Sequence, residues 1–337
     1  MRSLPLDVKI LKTQQRIREW VNFYGLDGVY VSFSGGKDST VLLHIARQLY
    51  PSIEAVFVDT GLEYPEIRKF VKSFEHVTII RPKMRFDEVI KKYGYPLISK
   101  EVSECVSQGK IALKSNKYVY RLQKLLGTAV DKQGRKSLFN KEKYAPLLYV
   151  DFNVSHMCCN VMKKKPAHEF GKLTGRHPIT GQTTEESRLR EQQWLKNGSN
   201  GFNMKSPISN PMSFWTEQDV LRYIKENNVA LSSIYGEIRE RKFERERERE
   251  RELYTSGVHR SGCIFCLFGA RCKDDDRFIK LKHTHPKQYA YCMGGGEHNE
   301  NNVWQPNKNG LGMQHVINEL HNIYGNDFIK LEEDTNE

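Results

Sequence analysis

The stretch VSFSGGKDST, residues 31–40, has the composition of a loop that binds phosphate. Gly35 and Gly36 allow backbone N–H groups to turn towards an anion, while Ser34 and Ser39 add hydroxyl donors. The residues that follow carry apolar side chains at helical spacing, so the loop would also lie at the positive end of a helix dipole. The spacing G-x-x-x-x-G-K-[ST] of the Walker loop is absent. The segment therefore predicts a phosphate cradle of a different kind.

Two pairs of cysteines form a second group of residues, which could bind a metal or take part in redox chemistry. Cys158 and Cys159 are adjacent, and Cys263 and Cys266 have the spacing C-x-x-C. Four thiolates are enough for one tetrahedral metal ion or for a four-iron cluster. Because the chain has seven cysteines, an odd number, and no secretory signal, metal ligation or redox chemistry is a better interpretation than disulfides.

Other assignments of the cysteines stay open. Zinc held by Cys263, Cys266, Cys272 and His283 is one, since that spacing is similar to a zinc ribbon. A set of structural thiols without a ligand is another. Cys105 is expected to be an ordinary core thiol. Cys272 and Cys292 are each candidates for a further ligand, for a reactive thiol or for neither role.

Strands and helices alternate along the first hundred residues. Apolar, β-branched runs predict buried strands at 28–34, 53–60 and 77–82, and helical periodicity occurs at 39–50, 63–74 and 86–94. This alternation predicts a doubly wound, mostly parallel α/β sheet. Ligands bind beyond the carboxyl ends of such strands, where both the glycine loop and Asp59 lie.

Charge and hydropathy restrict the partners. The formal net charge is +12 and the pI about 9.2, which favours an anionic partner, either a nucleotide or a nucleic acid. A mean hydropathy of -0.64 and the lack of a long apolar run argue against a membrane span, and the charged N-terminus lacks a signal-peptide core. A cytoplasmic protein is therefore expected.

Residues 105–145 are strongly basic and are interpreted either as a solvated helical insertion or as a nucleic-acid contact surface. Among the basic residues of this segment are Lys110, Lys114, Lys117, Arg121 and Lys124.

The segment 239–252 alternates arginine and glutamate. In a helix its i,i+3 neighbours would attract and its i,i+4 neighbours repel, so the segment is expected to be an exposed linker or a solvated helix. The expected organisation is a nucleotide-binding α/β domain over 1–238, a charged linker over 239–253 and a smaller C-terminal cysteine lobe over 254–337.

SGGKDS resembles the signature of the PP-loop family, which contains ATP pyrophosphatases and sulfonucleotide reductases. Three further segments are similar to that family, namely FVDTGLEYPE (57–66), TGQTTEESRLR (180–190) and NPMSFWTEQDVLRYI (210–224). Their order matches the phosphoadenosine-phosphosulfate (PAPS) reductase branch. The resemblance implies adenine-nucleotide contacts for Ser34, Gly35, Gly36, Lys37, Asp38, Ser39, Asp59, Thr60, Gly181, Glu186, Ser187, Arg190 and Arg260. Gln182 departs from the family pattern, because an arginine is usual near that position.

The cysteine pattern resembles the set that holds a [4Fe-4S] cluster in adenylyl-sulfate reductases. This resemblance implies that Cys158, Cys159, Cys263 and Cys266 are the metal ligands. The lysines at 163–165 stand where that family has Arg-Lys, and Arg260 matches a family arginine before the C-x-x-C. Positive charge there would offset the anionic thiolates.

A feature of the C-terminal sequence distinguishes two functional hypotheses. Sulfonucleotide reductases attack sulfur with a cysteine in a Glu-Cys-Gly context near the end of the chain, whereas this sequence has no cysteine after Cys292. The favoured hypothesis is therefore an ATP pyrophosphatase that adenylates an acceptor for tRNA or DNA thiolation, with a sulfur donor such as a cysteine desulfurase. A reductase that releases sulfite, and a non-catalytic nucleotide-binding redox sensor, are the alternatives.

The ATP-dependent scheme assigns catalytic roles to Lys37, Asp38 and Arg190. Lys37 and Arg190 would stabilise the leaving pyrophosphate, and Asp38, or alternatively Asp59, would hold Mg²⁺.

Overall fold

The computed structural model describes residues 1–245, 248–270 and 275–332, without the side chains of 243–250. The chain forms two compact units. The first contains Met1–Asp59, Glu63–Pro82 and Lys165–Gly262, and the second contains Thr60–Leu62, Lys83–Lys164 and Cys263–Glu337. The expected boundaries at 238 and 254 do not coincide with the limits of these units, because each unit is assembled from segments far apart in sequence.

The helices follow in chain order. Within the described residues they are α1 (Leu6–Tyr24), α2 (Lys37–Leu49), α3 (Pro65–Lys72), α4 (Phe86–Tyr93), α5 (Lys100–Ala112), α6 (Val119–Leu126), α7 (Lys165–Thr174), α8 (Arg188–Asn197), α9 (Glu217–Glu226), α10 (Arg277–Thr284), α11 (Pro286–Met293) and α12 (Met313–Tyr324). A π-helical turn covers Asn160–Lys164, and 3₁₀ turns cover Glu142–Leu148, Ser233–Tyr235 and Asn326–Phe328. Across the described ranges, we find no helix with the length and apolar character needed to cross a bilayer.

The strands are short. In chain order they are β1 (Val29–Ser32), β2 (Ala55–Val58), β3 (Val77–Ile80), β4 (Leu97–Ile98), β5 (His177–Thr180), β6 (Asn200–Gly201), β7 (Ile208–Ser209), β8 (Ile238–Arg245), β9 (Glu248–Thr255), β10 (Leu267–Phe268), β11 (Glu297–His298) and β12 (Trp304–Gln305).

The first unit is built on a six-stranded sheet with the order β3-β2-β1-β5-β7-β6. All neighbouring pairs are parallel except β6 with β7. The predicted mostly parallel α/β fold is therefore confirmed. The strand order reverses between β1 and β5, which creates the switch point where open α/β sheets bind ligands.

A buried ion pair joins α1 to α9 in this unit. Lys9 Nζ lies 2.5 Å from Asp219 Oδ2, and the two residues are 1% and 8% exposed. The Asp219 carboxylate also accepts hydrogen bonds from the backbone N–H and the hydroxyl of Thr216, the N-cap of α9. Removing the carboxylate would leave an uncompensated ammonium group inside the protein.

We expect Asp219→Ala to lower the free energy of unfolding by about 3–5 kcal/mol, because a buried charge loses its partner and α9 loses its capping box. Urea denaturation measures the change. Glu191→Ala is the control, since the Arg2–Glu191 pair is exposed and its loss is expected to cost less than about 1 kcal/mol. Equal effects of the two substitutions would contradict the importance of the buried pair.

The Arg-Glu segment forms a hairpin of the first unit, which corrects the prediction of a linker or solvated helix. β8 and β9 pair antiparallel with Arg241 opposite Glu252. The Arg241 guanidinium lies 2.9 Å from the Glu252 carboxylate, and Arg251 lies 3.5 Å from Glu240. A charge period of two matches the strand period, so opposite charges meet across the two strands.

The second unit is mostly helical. It contains α4–α6, α10–α12 and two small pairs of strands, parallel β4 with β10 and antiparallel β11 with β12. Residues 105–145 form most of α5, all of α6 and the beginning of a 3₁₀ turn, and α5 packs against α6.

Candidate nucleotide and cysteine sites

The glycine loop of the first unit lies between β1 and the N-terminus of α2. Gly35 has a φ of +71°, the left-handed region that favours glycine. An added Cβ there would lie 2.8 Å from Ile67 Cγ2 and 2.9 Å from Val71 Cγ2. Both the backbone conformation and the space therefore require glycine at this position.

Hydroxyl groups stabilise the loop by hydrogen bonds to its own backbone. Ser39 Oγ accepts a hydrogen bond from the Ser34 N–H at 3.2 Å and donates to the Gly36 carbonyl at 3.0 Å. Thr40 Oγ1 donates to the same carbonyl at 2.9 Å. The loop is thus held in a fixed shape at the start of α2, whose first N–H groups are available to an anion.

The end of β5 approaches the loop closely. A Cβ at Gly181 would lie only 3.0 Å from the Asp38 carbonyl oxygen, so the backbones of the two loops are nearly in contact. Gly181 and Asp38 were both predicted to contact the nucleotide, and the fold brings them together at the switch point.

Lys37 is held by residues that the sequence analysis did not predict. Its side chain is 6% exposed, and Nζ lies 2.5 Å from Glu217 Oε1 and 5.7 Å from the centre of the Tyr235 ring. His259 Nε2 lies 3.5 Å from Glu217 Oε2. Glu217 and Tyr235 are distant from the loop in sequence, and only the fold brings them to it.

A tyrosine and a serine lie beside the loop. The Tyr235 hydroxyl donates to Ser261 Oγ at 2.5 Å, and burial raises the pKa of Tyr235 to about 12. A Cβ at Gly36 would lie 3.3 Å from Ser261 Oγ. The neighbouring Arg260, predicted to contact phosphate, has an exposed side chain. These groups add polar hydrogens beside the loop.

Asp38 has a shifted acidity. Burial is the main cause that raises the pKa of its carboxyl group to about 6. The nearby Glu186 and Glu217 carboxylates contribute to this rise, and Lys37 opposes it. A carboxyl group with this pKa changes charge within the range of ordinary assay conditions.

Asp59, at the end of β2, is 4% exposed and forms ion pairs with two arginines. Arg68 lies 2.8 Å and Arg81 3.5 Å from Asp59 Oδ2. Neither arginine was predicted. Thr60, assigned to the nucleotide together with Asp59, accepts a hydrogen bond from the Leu62 N–H at 3.2 Å in the second unit. The two arginines therefore already neutralise the charge of the Asp59 carboxylate.

Glu186, Ser187 and Arg190 lie at the beginning of α8. Ser187 is the N-cap and accepts a hydrogen bond from the Leu189 N–H at 3.2 Å. Arg190 forms an ion pair with Glu186 across one helical turn, and its side chain is about one-third exposed. Since Glu186 acts on the pKa of Asp38, this turn lies near the loop.

In the second unit, the four predicted cysteines line one cavity. Cys158, Cys159, Cys263 and Cys266 surround it, and its other lining residues are Leu62, Phe86, Pro96 and Met162. The sulfur atoms of Cys158 and Cys159 are 3.9 Å apart. The π-helical turn begins directly after them at Asn160, a feature often found at functional sites.

The cysteines that line the cavity differ in the pKa of their thiols. The hydrogen bond from Cys158 lowers the pKa of Cys159 to about 6. Burial opposes that shift, and the ammonium groups of Lys100, Lys163 and Lys164 support it. Burial raises the pKa of Cys266 to about 12. Four thiols around an apolar cavity with lysines beside them are a donor set that fits an iron–sulfur cluster, and also fits zinc.

The remaining described cysteines do not share this environment. Cys105 is buried, as expected for a core thiol. Cys292 is fully buried, which raises the pKa of its thiol far above the ordinary value. Cys272 lies outside the described residues, so the alternative zinc set of Cys263, Cys266, Cys272 and His283 stays a hypothesis.

The basic residues singled out in the segment 105–145 do not form one continuous exposed surface. Lys110 Nζ donates to the carbonyls of Val150 and Phe152, at 2.9 and 2.7 Å. Lys124 is buried beside Glu101, and Arg121 pairs with Glu104. Three of the five basic residues singled out in the sequence therefore support the fold, whereas Lys114 and Lys117 are exposed.

A mostly parallel sheet with a glycine loop between β1 and α2, approached by the end of β5, defines an α/β protein of the phosphate-loop, Rossmann-like class. Comparison with protein families narrows the class. The family described as the phosphoadenosine phosphosulfate reductase domain matches residues 28–97 and 86–267. This protein belongs to that family.

Individual relatives agree with this assignment. The adenosine 5'-phosphosulfate reductase of Staphylococcus haemolyticus is 25% identical over 228 residues, 66% of this chain and 72% of the relative. An uncharacterised protein of Methanocaldococcus jannaschii is 32% identical over 124 residues, 34% of this chain and 28% of that protein. The chain thus spans under a third of that relative's length.

Among solved structures, the phosphoadenylyl-sulfate reductase of Candida auris in a phosphate complex matches with a TM-score of 0.37 and 18% identity. That match covers 66% of this chain and 82% of the solved chain.

Proposed function

We propose that this protein is an ATP-dependent sulfur-transfer enzyme. An acceptor oxygen attacks the α-phosphorus of ATP, pyrophosphate leaves, and hydrosulfide then displaces AMP from the adenylated acceptor. The overall exchange replaces one acceptor oxygen with sulfur and needs no electrons. The observation that carries this choice over reduction is the complete burial of Cys292.

A reductase needs a thiol that can reach the sulfur of its substrate. Cys292 has no exposed surface, and burial keeps its pKa high, so its reactive thiolate form is disfavoured. Cys105 is likewise fully buried. Four of the other cysteines line the cavity, and Cys272, which lies outside the described residues, is the thiol that the reductase test below addresses. An adenylating enzyme needs no such nucleophile, because the acceptor supplies the attacking atom.

The residues of the first unit have separate roles in this scheme. The loop N–H groups around Gly35 and Gly36 bind the phosphates. Lys37 exchanges its ion pair with Glu217 for the charge that develops on pyrophosphate. Arg190 adds a second cation from α8 once it separates from Glu186. Asp38 would hold Mg²⁺, which would supply Lewis-acid stabilisation of the phosphate charge.

The four cysteines of the cavity would hold a [4Fe-4S] cluster, which supplies a redox-active centre with an affinity for sulfur. The pKa of Cys159 is lowered towards the thiolate form, in part by ammonium groups that would remain beside a bound cluster. Lys100, Lys163 and Lys164 offset the negative charge of the ligands. Zinc at these thiolates would instead be structural.

A nucleic acid is the proposed acceptor, either tRNA or DNA. The net charge of +12 and the exposed Lys114 and Lys117 support an anionic macromolecule. The sulfur donor, such as a cysteine desulfurase, would supply hydrosulfide or its equivalent.

The test is anaerobic incubation of the iron-loaded protein with ATP, Mg²⁺, bulk tRNA or DNA, and hydrosulfide. Equal amounts of AMP and pyrophosphate that depend on the nucleic acid are expected, and Lys37→Met should abolish them. Cys292→Ser is the matched control and should leave turnover unchanged. Intact ATP under all of these conditions would overturn the proposal.

Sulfonucleotide reduction is the second candidate, because relatives such as the S. haemolyticus protein carry the name adenosine 5'-phosphosulfate reductase. Its test replaces ATP with adenylyl sulfate or PAPS and adds a thiol reductant. Sulfite that disappears in Cys272→Ser would favour reduction. No sulfite, with AMP formed from ATP, would favour sulfur transfer.

Nucleotide binding should depend on pH through Asp38, whose pKa is raised to about 6. As the pH falls through this value the carboxyl group gains a proton and loses its negative charge. Metal-free binding of ATP is then expected to strengthen, and Mg²⁺-dependent turnover to weaken. Calorimetric titration and initial rates between pH 5 and about 8 measure the two trends.

Asp38→Asn is the control for this pH dependence, since phosphate groups and His259 titrate in the same range. Only the difference between the wild type and Asp38→Asn reports the carboxyl group. Identical pH profiles of the two proteins would show that Asp38 does not contact the nucleotide or its metal.

A further inference from the structure

Two histidines and one aspartate meet in the second unit, in positions to which the sequence analysis assigned no role. Asp151 follows the 3₁₀ turn Glu142–Leu148, His298 ends β11, and His315 lies in the first turn of α12. His298 Nε2 lies 2.8 Å and His315 Nε2 2.9 Å from the same atom, Asp151 Oδ2. One ligand atom from each residue lies within 4.8 Å of the others.

Trp304 holds the three segments in place. Its ring packs at 4.3 Å from the His315 ring and at 5.1 Å from the His298 ring. Its backbone N–H donates to the Asp151 carbonyl at 2.7 Å, and its indole N–H donates to the Gly312 carbonyl at 3.0 Å. The histidines are therefore oriented by packing as well as by their own hydrogen bonds.

The backbone leaves space for this indole. Gly296 has a φ of +88°, and a Cβ there would lie 2.2 Å from Trp304 Cζ2. Gly312 has a φ of +67°, and a Cβ there would lie 2.7 Å from Trp304 Nε1. The segments that carry His298 and His315 are thus built around the tryptophan.

Lys110 holds the loop that carries Asp151. Its ammonium group donates to the carbonyls of Val150 and Phe152, the residues on either side of Asp151. A half-buried lysine used in this way holds the loop rather than the carboxylate. Positioning groups behind the ligands are a usual feature of metal sites.

We propose that Asp151, His298 and His315 bind a divalent first-row transition-metal ion, with the remaining coordination positions open to water. Two imidazoles and one carboxylate are the protein ligands of many catalytic zinc sites and of non-haem iron sites. The side chains of these residues are between 28% and 40% exposed, so an ion from solution reaches them. The ion takes the place of the hydrogens on the two Nε2 atoms, and each neutral imidazole then carries its proton on Nδ1.

The alternative is a purely structural cluster, in which two histidines donate to one carboxylate. The two cases differ in what glutamine can replace. In His298→Gln the side-chain amide can donate a hydrogen bond to Asp151 from the position of Nε2, but it is a poor ligand for zinc or cobalt. The structural cluster tolerates this change, whereas the metal site does not.

The experiment uses the full chain, loaded with iron and then freed of loosely bound metal with a chelator. Zinc is added, and its affinity and stoichiometry are measured by calorimetry. The wild type is expected to bind one equivalent of zinc that His298→Gln and Asp151→Asn bind at least about 100-fold more weakly. His283→Ala tests the alternative zinc set, since His283 is an exposed histidine of the same unit that belongs to that set.

Cobalt(II) distinguishes this site from the cysteines, because thiolate ligation gives intense charge-transfer absorption that nitrogen and oxygen ligands lack. The additional equivalent should lack that absorption. Thermal unfolding is the second readout: zinc should raise the Tm of the wild type and not that of His298→Gln. Equal zinc binding by both proteins, or binding that His283→Ala removes, would overturn the proposal.

Discussion

Cys263→Ser is expected to remove the iron of the anaerobically purified protein. The four cysteines line one cavity, and a cluster that loses one of its four thiolate ligands loses a bond to iron that a serine hydroxyl does not replace. Iron and acid-labile sulfide would fall from about four atoms of each per chain to less than one. Metal analysis and the visible absorbance of the cluster measure this change.

Cys159→Ser distinguishes a cluster held by both cysteine pairs from a zinc ion held by the alternative set of ligands. A cluster held by both cysteine pairs loses its iron in Cys159→Ser as well as in Cys263→Ser. A zinc ribbon of Cys263, Cys266, Cys272 and His283 would lose zinc only in Cys263→Ser. Retained iron in both variants would contradict the assignment of the cavity.

Cys292→Ser is the control for these cysteine variants. It is expected to keep the full iron content, because Cys292 is not among the residues that line the cavity. A loss of iron in this control as well would mean that the cysteine variants act by disturbing the fold of the second unit.

The glycine loop was predictable because its signal is local. The apolar strand, Gly35 and Gly36, and the periodic helix after them follow one another in sequence, and each is specified by short-range sterics. The same holds for the alternation that predicted the mostly parallel sheet. The partners of the loop were not predictable in this way. Glu217 and Tyr235 reach Lys37 only after α2, α9 and a 3₁₀ turn have packed into one unit.

The Arg-Glu hairpin shows a different limit. In a helix, the attractive and repulsive pairs of its charges nearly cancel, so the charge pattern neither favours nor excludes a helix. The period of two was visible, but strands are usually recognised by apolar residues on one face, and this segment has few. The deciding interaction is the cross-strand pairing of residues such as Arg241 and Glu252, which depends on register.

The Asp151 cluster had no sequence signal. His298 and His315 are separated by a spacing that matches no familiar ligand motif, and Asp151 is far from both. The cysteines were found because adjacent and C-x-x-C pairs are recognisable patterns. Ligands that come singly from three segments become visible only when the fold is known.

Gly35→Ala should weaken nucleotide binding by about 10- to 100-fold, a cost of about 1.4–2.8 kcal/mol. The new methyl group would lie within 3 Å of Ile67 and Val71, so the loop must move by several tenths of an ångström. Its N–H groups then no longer converge on the phosphates. Calorimetric titration with ATP and with PAPS measures the loss, which is expected for whichever nucleotide binds.

Gly175→Ala separates this clash from the backbone cost. Gly175 has a φ of +71°, equal to that of Gly35, but no atom lies within 4 Å of its added Cβ. Both substitutions therefore carry the penalty of an alanine at positive φ, about 1–2 kcal/mol of stability, and only Gly35→Ala adds the collision. Weaker binding in Gly35→Ala alone would place the phosphates on this loop. Equal affinities with unequal stabilities would mean that Gly35 serves the packing of α3 and that the nucleotide binds elsewhere.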